Sequence, residues 1–293
     1  MMTSKNLKVL FIINAGSGNN SIDWTAQITN YFVNLSNSID FYDLTPTCNI
    51  STIKAKIKLF KPDCVAAVGG DGTIKLVAEC LIKTKILLGI IPAGSANGLA
   101  KELGISDNPT KALDILFQAF SKKIHITRIN EQLCIHLSDI GLNAYAMKEF
   151  EKQPFRGWWG YFVAALKVLW QNPLMEITLK IDEQSIKIKA EMIVIANATK
   201  YGNGVVINPV GKLGDKLFEV IVVKKISFIE IIKMAYSHGL LDPDKTEIFQ
   251  TNALSMKSRS KVHFQIDGEY LGKVKEVNAF IAPNALQVIV PEI

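Results

Sequence analysis

A glycine-rich loop that carries a carboxylate is the feature of this chain that most clearly suggests chemistry. Residues 69–73 read Gly-Gly-Asp-Gly-Thr, after apolar residues 65–68 and before a helical pattern. A strand that ends on two glycines and turns into a helix presents backbone N–H groups and a positive dipole end to an anion. Asp71 would repel a bare phosphate, so it fits if a divalent cation or an accepting hydroxyl lies between them, which indicates nucleotide phosphoryl transfer. The alternative is an ordinary turn with a solvated aspartate.

A second glycine loop follows closely. Residues 92–98 read Pro-Ala-Gly-Ser-Ala-Asn-Gly, between apolar residues 86–91 and another short helical pattern. Two consecutive strand, loop and helix units place their loops side by side at the carboxyl edge of a parallel sheet. Neither loop is a Walker A sequence, since no Gly-Lys-Ser/Thr follows, and neither matches the G-x-G-x-x-G dinucleotide fingerprint.

The elements that position these loops occupy residues 8–121. Short continuous apolar runs alternate there with helical periodicity, which is typical of βαβ units and of a parallel sheet covered on both faces. Residues 14–20, after the first apolar run, become a third glycine-bearing loop at the same edge. This half is the predicted nucleotide-binding domain.

The pattern changes after Lys123. Five later segments alternate or run apolar and are rich in β-branched residues: 175–181, 185–196, 216–223, 261–266 and 286–290. Strands that follow a βαβ half predict an antiparallel sandwich. We therefore predict an α/β domain with a parallel sheet at 1–124, followed by an all-β antiparallel sandwich domain at 125–293 whose last strand can return to the first domain.

The most aromatic stretch, residues 155–170, is apolar around much of a helix and holds three of the four tryptophans. A helix that is apolar on all sides is usually buried, so core packing is the first interpretation. A wall that contacts lipid is the alternative.

Four ordered motifs carry a resemblance to a known family. They are Asn14-Ala-Gly-Ser-Gly18, Gly69-Gly-Asp-Gly-Thr73, Pro92-Ala-Gly-Ser-Ala-Asn97 and Asp267-Gly-Glu269. The order resembles the diacylglycerol kinase catalytic-domain family, in particular its bacterial lipid kinases, to which sphingosine and ceramide kinases are related. The Gly-Gly-Asp-Gly-Thr loop is shared with NAD kinases, so it indicates the superfamily better than the substrate. The resemblance implies an NAD kinase/diacylglycerol kinase-like fold, ATP and Mg²⁺ as cofactors, and a lipid alcohol as acceptor.

Roles for the loop residues follow from the loop chemistry and the resemblance. Asp71 is expected to bind the Mg²⁺ of the nucleotide. Asp71 and Glu269 are the predicted catalytic residues. Thr45 is a nucleotide contact by resemblance only, and is otherwise simply a strand-ending threonine. The expected nucleotide-binding residues are Asn14, Gly16, Ser17, Gly18, Thr45, Gly69, Gly70, Asp71, Gly72, Thr73, Ser95 and Asn97.

Asp267-Gly268-Glu269 follows the apolar segment 262–266. A type I′ hairpin turn explains Asp-Gly without any chemistry. The resemblance adds that the family's Asp-Gly-Glu carries the general base, which implies this role for Glu269. A carboxylate within about 3 Å of the acceptor hydroxyl takes its proton during transfer.

A structural metal site is implied by resemblance alone. The segment Lys212-Leu-Gly-Asp-Lys-Leu217 is similar to a family segment that ends in Asp-Gly-Leu, where Mg²⁺ is held by the Asp215 side chain and by the carbonyls of Lys212 and Leu217. Lys216 stands where the family has glycine, which places a cation beside the ion and a Cβ where the backbone favours none. Gly98 and Asn143 also stand where acidic residues are frequent.

Composition narrows the partners. A length of 293 residues and a hydrophobic content of 48% support two cores. The net charge of +6 suits anionic partners, but arginines are few and no dense basic run occurs, which favours ATP and an acidic membrane surface over nucleic acid. Since no run of 18 apolar residues and no signal peptide pattern occurs, we expect a cytoplasmic, peripherally membrane-associated protein, with a homodimer possible.

The sequence therefore predicts an ATP-dependent lipid kinase that transfers the γ-phosphate to the hydroxyl of diacylglycerol or a related lipid alcohol. An NAD kinase-like small-molecule kinase stays open as an alternative, although the Asn-x-Gly-x-x-Gly-Phe-Leu segment of NAD kinases is missing. A catalytically degenerate lipid- or nucleotide-binding protein is the other alternative. The departures at Gly98, Asn143 and Lys216 favour it, and the presence of Asp71 and Glu269 opposes it.

Overall fold

The computed structural model describes residues 7–18, 22–152, 158–169, 174–199, 207–226 and 242–292. The chain forms two compact units. One comprises Met1–His125 and Pro283–Ile293, and the other comprises Ile126–Ala282.

A parallel sheet forms the centre of the first unit. Its strands are β1 (Lys8–Ile13), β2 (Ser38–Asp43), β3 (Cys64–Gly69) and β4 (Leu87–Pro92), in the order β2-β1-β3-β4. Every residue of β3 is buried, as expected for a strand covered on both faces. The returning chain adds Val288 beside Leu88 of β4, in parallel.

Five helices accompany this sheet: α1 (Trp24–Phe32), α2 (Ile50–Phe60), α3 (Asp71–Leu81), α4 (Gly98–Glu102) and α5 (Pro109–Gln118). Side chains of Asp23, Asn49 and Asn108 cap the amino ends of α1, α2 and α5. The cap position of α3 is Gly70, which has no side chain to offer. The first-turn N–H groups of α3 are therefore left to other acceptors.

The second unit is mainly antiparallel. Its strands are β5 (Ser121–Ile129), β6 (Gln132–Cys134), β7 (Leu137–Gly141), β8 (Met175–Ile181), β9 (Gln184–Ala190), β10 (Met192–Ala196), β11 (Phe218–Val223), β12 (Thr246–Thr251), β13 (Ala253–Ile266) and β14 (Glu269–Ile289). Two of them, β5 and β14, also contribute residues to the first unit. The strands pair in the order β12-β11-β10-β7-β13-β14, and β8 pairs with both β13 and β9.

Strand β11 shows how the second unit buries both faces of its central sheet. Phe218, Val220 and Val222 belong to a core cluster with β8 and β13, whereas Ile221 and Val223 belong to a second cluster with the helix α6 (Leu142–Glu151). Two buried faces explain why every residue of β11 except Glu219 is apolar.

The predicted fold class, a parallel α/β half followed by an antiparallel sandwich, is confirmed. The second unit also contains α6, which the sequence patterns did not predict, and α7 (Trp158–Leu169), which falls within the aromatic stretch. Ala164 and Val168 of α7 are buried and Val163 is exposed, whereas the tryptophan side chains of this stretch lie outside the described residues. Within the described ranges, no helix is long and apolar enough to cross a membrane.

Candidate active site

Three glycine loops meet at the carboxyl edge of the parallel sheet in the first unit. A Cβ on Gly94 would lie 2.5 Å from the Cα of Gly70, so the loops at 92–98 and 69–73 touch backbone to backbone. A Cβ on Gly18, which has a φ of +66°, would lie 2.2 Å from the carbonyl oxygen of Ala93, so the loop at 14–20 also meets the loop at 92–98. Only residues without side chains allow this approach. The structure thus brings together the three loops that the sequence singled out.

Asp71 joins two of these loops. Its Oδ2 accepts the N–H of Gly98 at 2.9 Å, and its Oδ1 accepts the N–H of Leu99 at 3.0 Å. The carboxylate therefore supplies the side-chain cap that α4 would otherwise lack. A carboxylate has about four acceptor positions, so two N–H bonds leave capacity for a further ligand.

Two other predicted residues, Asn14 and Asn97, brace the loops from within. The Asn14 side chain accepts the N–H of Gly16 at 3.1 Å and donates to the hydroxyl of Thr73 at 3.1 Å. The buried Asn97 accepts the N–H of Gly94 at 2.9 Å and donates to Asp107 at 3.0 Å. Its left-handed backbone, φ 53°, is one that asparagine tolerates. These amides fix the loop shape through contacts inside the protein.

The groups left open to a ligand are mostly backbone. Gly72 is exposed in the first turn of α3, with no atom within 4 Å of where its Cβ would be. Ser95 is exposed and Ser17 is half-buried. Backbone N–H groups and small hydroxyls at a helix start suit the oxygens of a polyphosphate.

Thr45 lies two residues beyond the carboxyl end of β2. Its hydroxyl contacts Thr47 at 2.9 Å and the Sγ of Cys48 at 3.3 Å, and its N–H donates to the same sulfur at 3.3 Å. Hydrogen bonds lower the pKa of the Cys48 thiol, with the larger effect from Thr45 and a smaller one from Tyr42. The structure places Thr45 at the predicted edge, in a loop of its own.

In the second unit, Asp267 and Gly268 form the two-residue turn between β13 and β14. Both have positive φ, 50° and 85°, and Ile266 pairs with Glu269, so the type I′ hairpin is confirmed. The Asp267 carboxylate also accepts the N–H groups of Ile135, His136 and Leu137 at 3.2, 2.9 and 3.3 Å. A simple hairpin needs no such anchor, and this one holds the exposed Glu269 on a fixed turn.

Two residues that the sequence patterns did not single out anchor the turn from its other side. The Oε1 of Gln265 accepts the N–H of Gly268 at 2.7 Å, and its Nε2 donates to Asp139 at 2.5 Å. Both side chains are only 1% exposed. Neither residue stands out in the sequence, because β7 also contains Ser138 and β13 also contains other polar residues such as His263.

The predicted structural metal segment also lies in the second unit. The Oδ1 of Asp215 accepts the N–H of Leu217 at 3.2 Å, and Lys216 has a φ of 64°. That left-handed backbone is why glycine suits position 216. Among the described residues, no group of three or more His, Cys, Asp or Glu side chains is arranged to hold a metal ion. A single carboxylate, already in a turn and beside a lysine, fits a structural Mg²⁺ poorly, and this site stays a prediction.

Comparisons with known proteins agree with this architecture. Residues 8–129 match the family model described as diacylglycerol kinase catalytic domain, and residues 138–290 match the one described as YegS C-terminal NAD kinase beta sandwich-like domain. The chain belongs to the diacylglycerol kinase catalytic-domain family, as the resemblance predicted. Family membership also supports phosphotransferase activity.

Two curated relatives are similar in sequence to this chain. A diacylglycerol kinase of Staphylococcus aureus is 25% identical over 219 residues, covering 72% of this chain and 70% of its own length. A diacylglycerol kinase of Staphylococcus saprophyticus is 23% identical, covering 72% of each.

Two solved structures share the fold. That of a Bacillus anthracis diacylglycerol kinase has a TM-score of 0.74 at 17% identity, over 99% of this chain and 98% of its own. An Archaeoglobus fulgidus NAD kinase in complex with ATP has a TM-score of 0.55 at 11% identity, over 97% and 94%.

Proposed function

We propose that this protein is an ATP-dependent lipid kinase that phosphorylates the hydroxyl of diacylglycerol or a related lipid alcohol. The observation that carries the proposal is the meeting of three glycine loops around the uncapped start of α3, in a member of this family. Phosphoryl transfer requires positioning and charge stabilisation more than covalent chemistry, and converging backbone N–H groups supply both.

The loop residues would bind ATP. N–H groups around Gly70, Gly72 and Thr73, with the hydroxyls of Ser17 and Ser95, would contact phosphate oxygens. Bound Mg²⁺ would neutralise charge on the phosphates during transfer. Asp71 is the side chain that would hold the ion, through the acceptor positions that the N–H groups of Gly98 and Leu99 leave open.

Glu269 would act as the general base. The acceptor oxygen forms a bond to the γ-phosphorus while the bond from that phosphorus to the bridging oxygen breaks, and ADP leaves. The hydroxyl proton passes to the Glu269 carboxylate. An exposed carboxylate on a turn anchored by Asp267 and Gln265 suits this task, since its backbone is held in place before substrate arrives.

The acceptor class rests on the relatives named diacylglycerol kinases. A lipid substrate implies transient contact with a membrane surface, which the net charge of +6 favours if the surface is anionic. A homodimer stays a prediction that light scattering in solution can test.

The test is to incubate the protein with γ-labelled ATP, Mg²⁺ and, separately, diacylglycerol, sphingosine, ceramide and NAD, and to identify labelled products. Label in a lipid supports the proposal, label in NAD would favour an NAD kinase, and no label with ATP binding retained would favour a degenerate binding protein. Glu269→Gln is expected to lower lipid turnover by about 10² to 10⁴ with ATP affinity unchanged. The control is Glu276→Gln, since Glu276 is on the same strand but pairs with Lys257 at 2.7 Å.

A further inference from the structure

A buried polar chain lies behind the turn that carries Glu269. Gln265 and Asp139 are partners in register on β13 and β7 and are each 1% exposed. Nε2 of Gln265 donates to Oδ2 of Asp139 at 2.5 Å, and Asn143 at the start of α6 donates to the same oxygen. Oε1 of Gln265 accepts the N–H of Gly268 at 2.7 Å, and the backbone carbonyl oxygen of Gln265 accepts the Ser138 hydroxyl at 2.6 Å.

The position of this chain in the sheet makes it costly. Val262, Phe264 and Ile266 of β13 face the sandwich core, so Gln265 faces the side on which α6 packs. An apolar side chain there would avoid the desolvation of an amide and a carboxylate, which is expensive even when both are hydrogen-bonded. A packing role alone therefore does not explain the residue types.

The residue types do match what is needed to hold the turn in one conformation. Oδ2 of Asp139 accepts hydrogen bonds from the amide groups of both Gln265 and Asn143, so the NH₂ end of the Gln265 amide faces Asp139. The carbonyl end of Gln265 must then face Gly268. Asp139 thus sets the direction in which Gln265 accepts, and Gln265 sets the position of Gly268, the residue immediately before Glu269.

The same arrangement explains Asn143. An acidic residue at this position would place a second carboxylate against Asp139 in a buried site. With Asp139 present, residue 143 has to donate, and asparagine does so. The departure from the family pattern at 143 is therefore coupled to the carboxylate of Asp139, four residues earlier on β7.

From these contacts we infer that Gln265 is a positioning residue for the base: oriented by Asp139, it fixes the Asp267-Gly268 turn so that the Glu269 carboxylate is presented in one place. The inference rests on the proposed function, because only the proposed kinase reaction gives Glu269 a proton to accept. It assigns no contact between Gln265 and substrate.

The test uses Gln265→Met, which keeps the volume and removes both amide bonds. Turnover of the lipid substrate should fall at least about tenfold while the KM for ATP stays unchanged, because a displaced base costs rate and leaves nucleotide binding intact. Hydrogen exchange of the Gly268 amide, followed by NMR, should accelerate in the same variant. The matched control is Gln250→Met, since Gln250 donates at 2.9 Å to the buried Glu219 in the same unit and is more exposed than Gln265.

Gln265→Glu supplies a rescue that depends on pH. Two adjacent buried carboxylates share a proton, and the protonated carboxyl group introduced at position 265 donates to Asp139 while accepting from Gly268. Turnover of this variant should approach that of wild type at low pH and fall about tenfold as the pH rises and the proton is lost. The ratio of variant to wild-type turnover at each pH removes the pH dependence of the reaction itself.

Several results would overturn the inference. They are normal turnover in Gln265→Met, an equal loss in Gln265→Met and Gln250→Met that follows their thermal midpoints, or a constant Gln265→Glu ratio across pH. A wild-type protein that phosphorylates no acceptor would refute the proposed function, and the positioning role with it, even if Gly268 exchange still accelerated. An active wild type with a normal Glu269→Gln variant would leave the kinase proposal standing and refute the positioning role alone.

Discussion

Asp71 illustrates how much one side chain contributes in this protein. The sequence suggested a ligand for Mg²⁺, and the structure shows both carboxylate oxygens accepting backbone N–H groups of Gly98 and Leu99. These bonds tie the loop at 69–73 to the loop at 92–98 and cap α4. Under the proposed function, mutating Asp71 therefore has both a structural effect and an effect on ligand binding.

Replacing Asp71 with asparagine should separate the two parts. Asparagine retains one acceptor oxygen but points NH₂ hydrogens at one of the two N–H groups, so the unfolding free energy should fall by about 1–3 kcal/mol. Turnover should fall further than this loss of folded protein explains, since the charge beside the nucleotide is gone. Thermal unfolding and turnover measured on the same samples check this, and an unchanged thermal midpoint would contradict the capping role.

At the scale of elements, the loops were predictable and their bracing was not. A strand that ends on glycines before a helix is a local pattern, so the parallel sheet and its loops could be predicted from residues 64–81 and 87–102 alone. The partners of Asp267 lie at 135–137, and Gln265 reaches Asp139 across 126 residues. Such pairs have no local signature, since other polar residues occur in the same strands. The Asp267-Gly268 turn was predicted correctly because Asp-Gly is a local turn signal. The N–H groups at 135–137 that anchor the Asp267 carboxylate were not predicted.

The contact between the loops at 69–73 and 92–98 gives a prediction for Gly94→Ala. Its Cβ would lie 2.5 Å from the Cα of Gly70, a backbone atom that cannot swing aside, so the loops must separate. Affinity for a non-hydrolysable ATP analogue, measured by calorimetry, should fall about tenfold or more, as expected when several phosphate contacts move together.

The control for this prediction is Gly104→Ala. Gly104 has a φ of +72°, so alanine there is strained as well, but its Cβ would meet only Pro291 at 3.7 Å. Stability should decrease and ATP affinity should not. Equal affinity losses in the two variants would mean that destabilisation, and not loop spacing, controls binding.

Helix α6 brings a titratable cluster onto the outer face of β13 and β14. The His263 ring stacks on Tyr145 at 4.2 Å between centroids, and its Nδ1 contacts the Tyr270 hydroxyl at 2.8 Å. Burial, followed by repulsion from Lys273, Lys148 and Lys152, lowers the pKa of His263 to about 4, which attraction to Glu149 only partly opposes. Folding therefore favours the neutral ring.

This shift sets the sign of a pH dependence. The folded pKa of His263 is depressed, so its contribution to stability is present above the ordinary value of 6.5 and is lost as the pH falls towards 4. His263→Phe keeps the stacking on Tyr145 and removes the titration. Its thermal midpoint should fall less than that of wild type between pH 6.5 and 4.5, and parallel curves for the two proteins would contradict the assignment.

At the scale of the whole molecule, the first unit is built from two separate parts of the chain. Leu286, Val288 and Ile289 are each at most 3% exposed, and Val288 lies beside Leu88 of β4. Burying each side chain contributes about 1.5–3 kcal/mol, so together they approach the total stability of a typical domain. We therefore expect the first unit to be unstable without them.

A fragment experiment tests this dependence. The N–H of Asn284 donates to Nδ1 of His125 at 2.8 Å, so the two parts of the chain lie next to each other where they enter and leave the second unit. Residues 1–125 joined through a short Gly-Ser linker to residues 283–293 should unfold cooperatively, whereas residues 1–125 alone should not. Circular dichroism during heating distinguishes them, and cooperative melting of the shorter fragment at the same temperature would refute the dependence.

The late return of Val288 has a consequence for how the chain is made. During translation, β4 emerges from the ribosome nearly 200 residues before the strand that will cover its open edge. An uncovered strand edge is a template for pairing with other chains. Until then the newly made sheet has to be shielded, by a chaperone or by the ribosome itself. Slowing elongation between residues 125 and 283 should therefore increase aggregation of the nascent protein more than slowing it before residue 60.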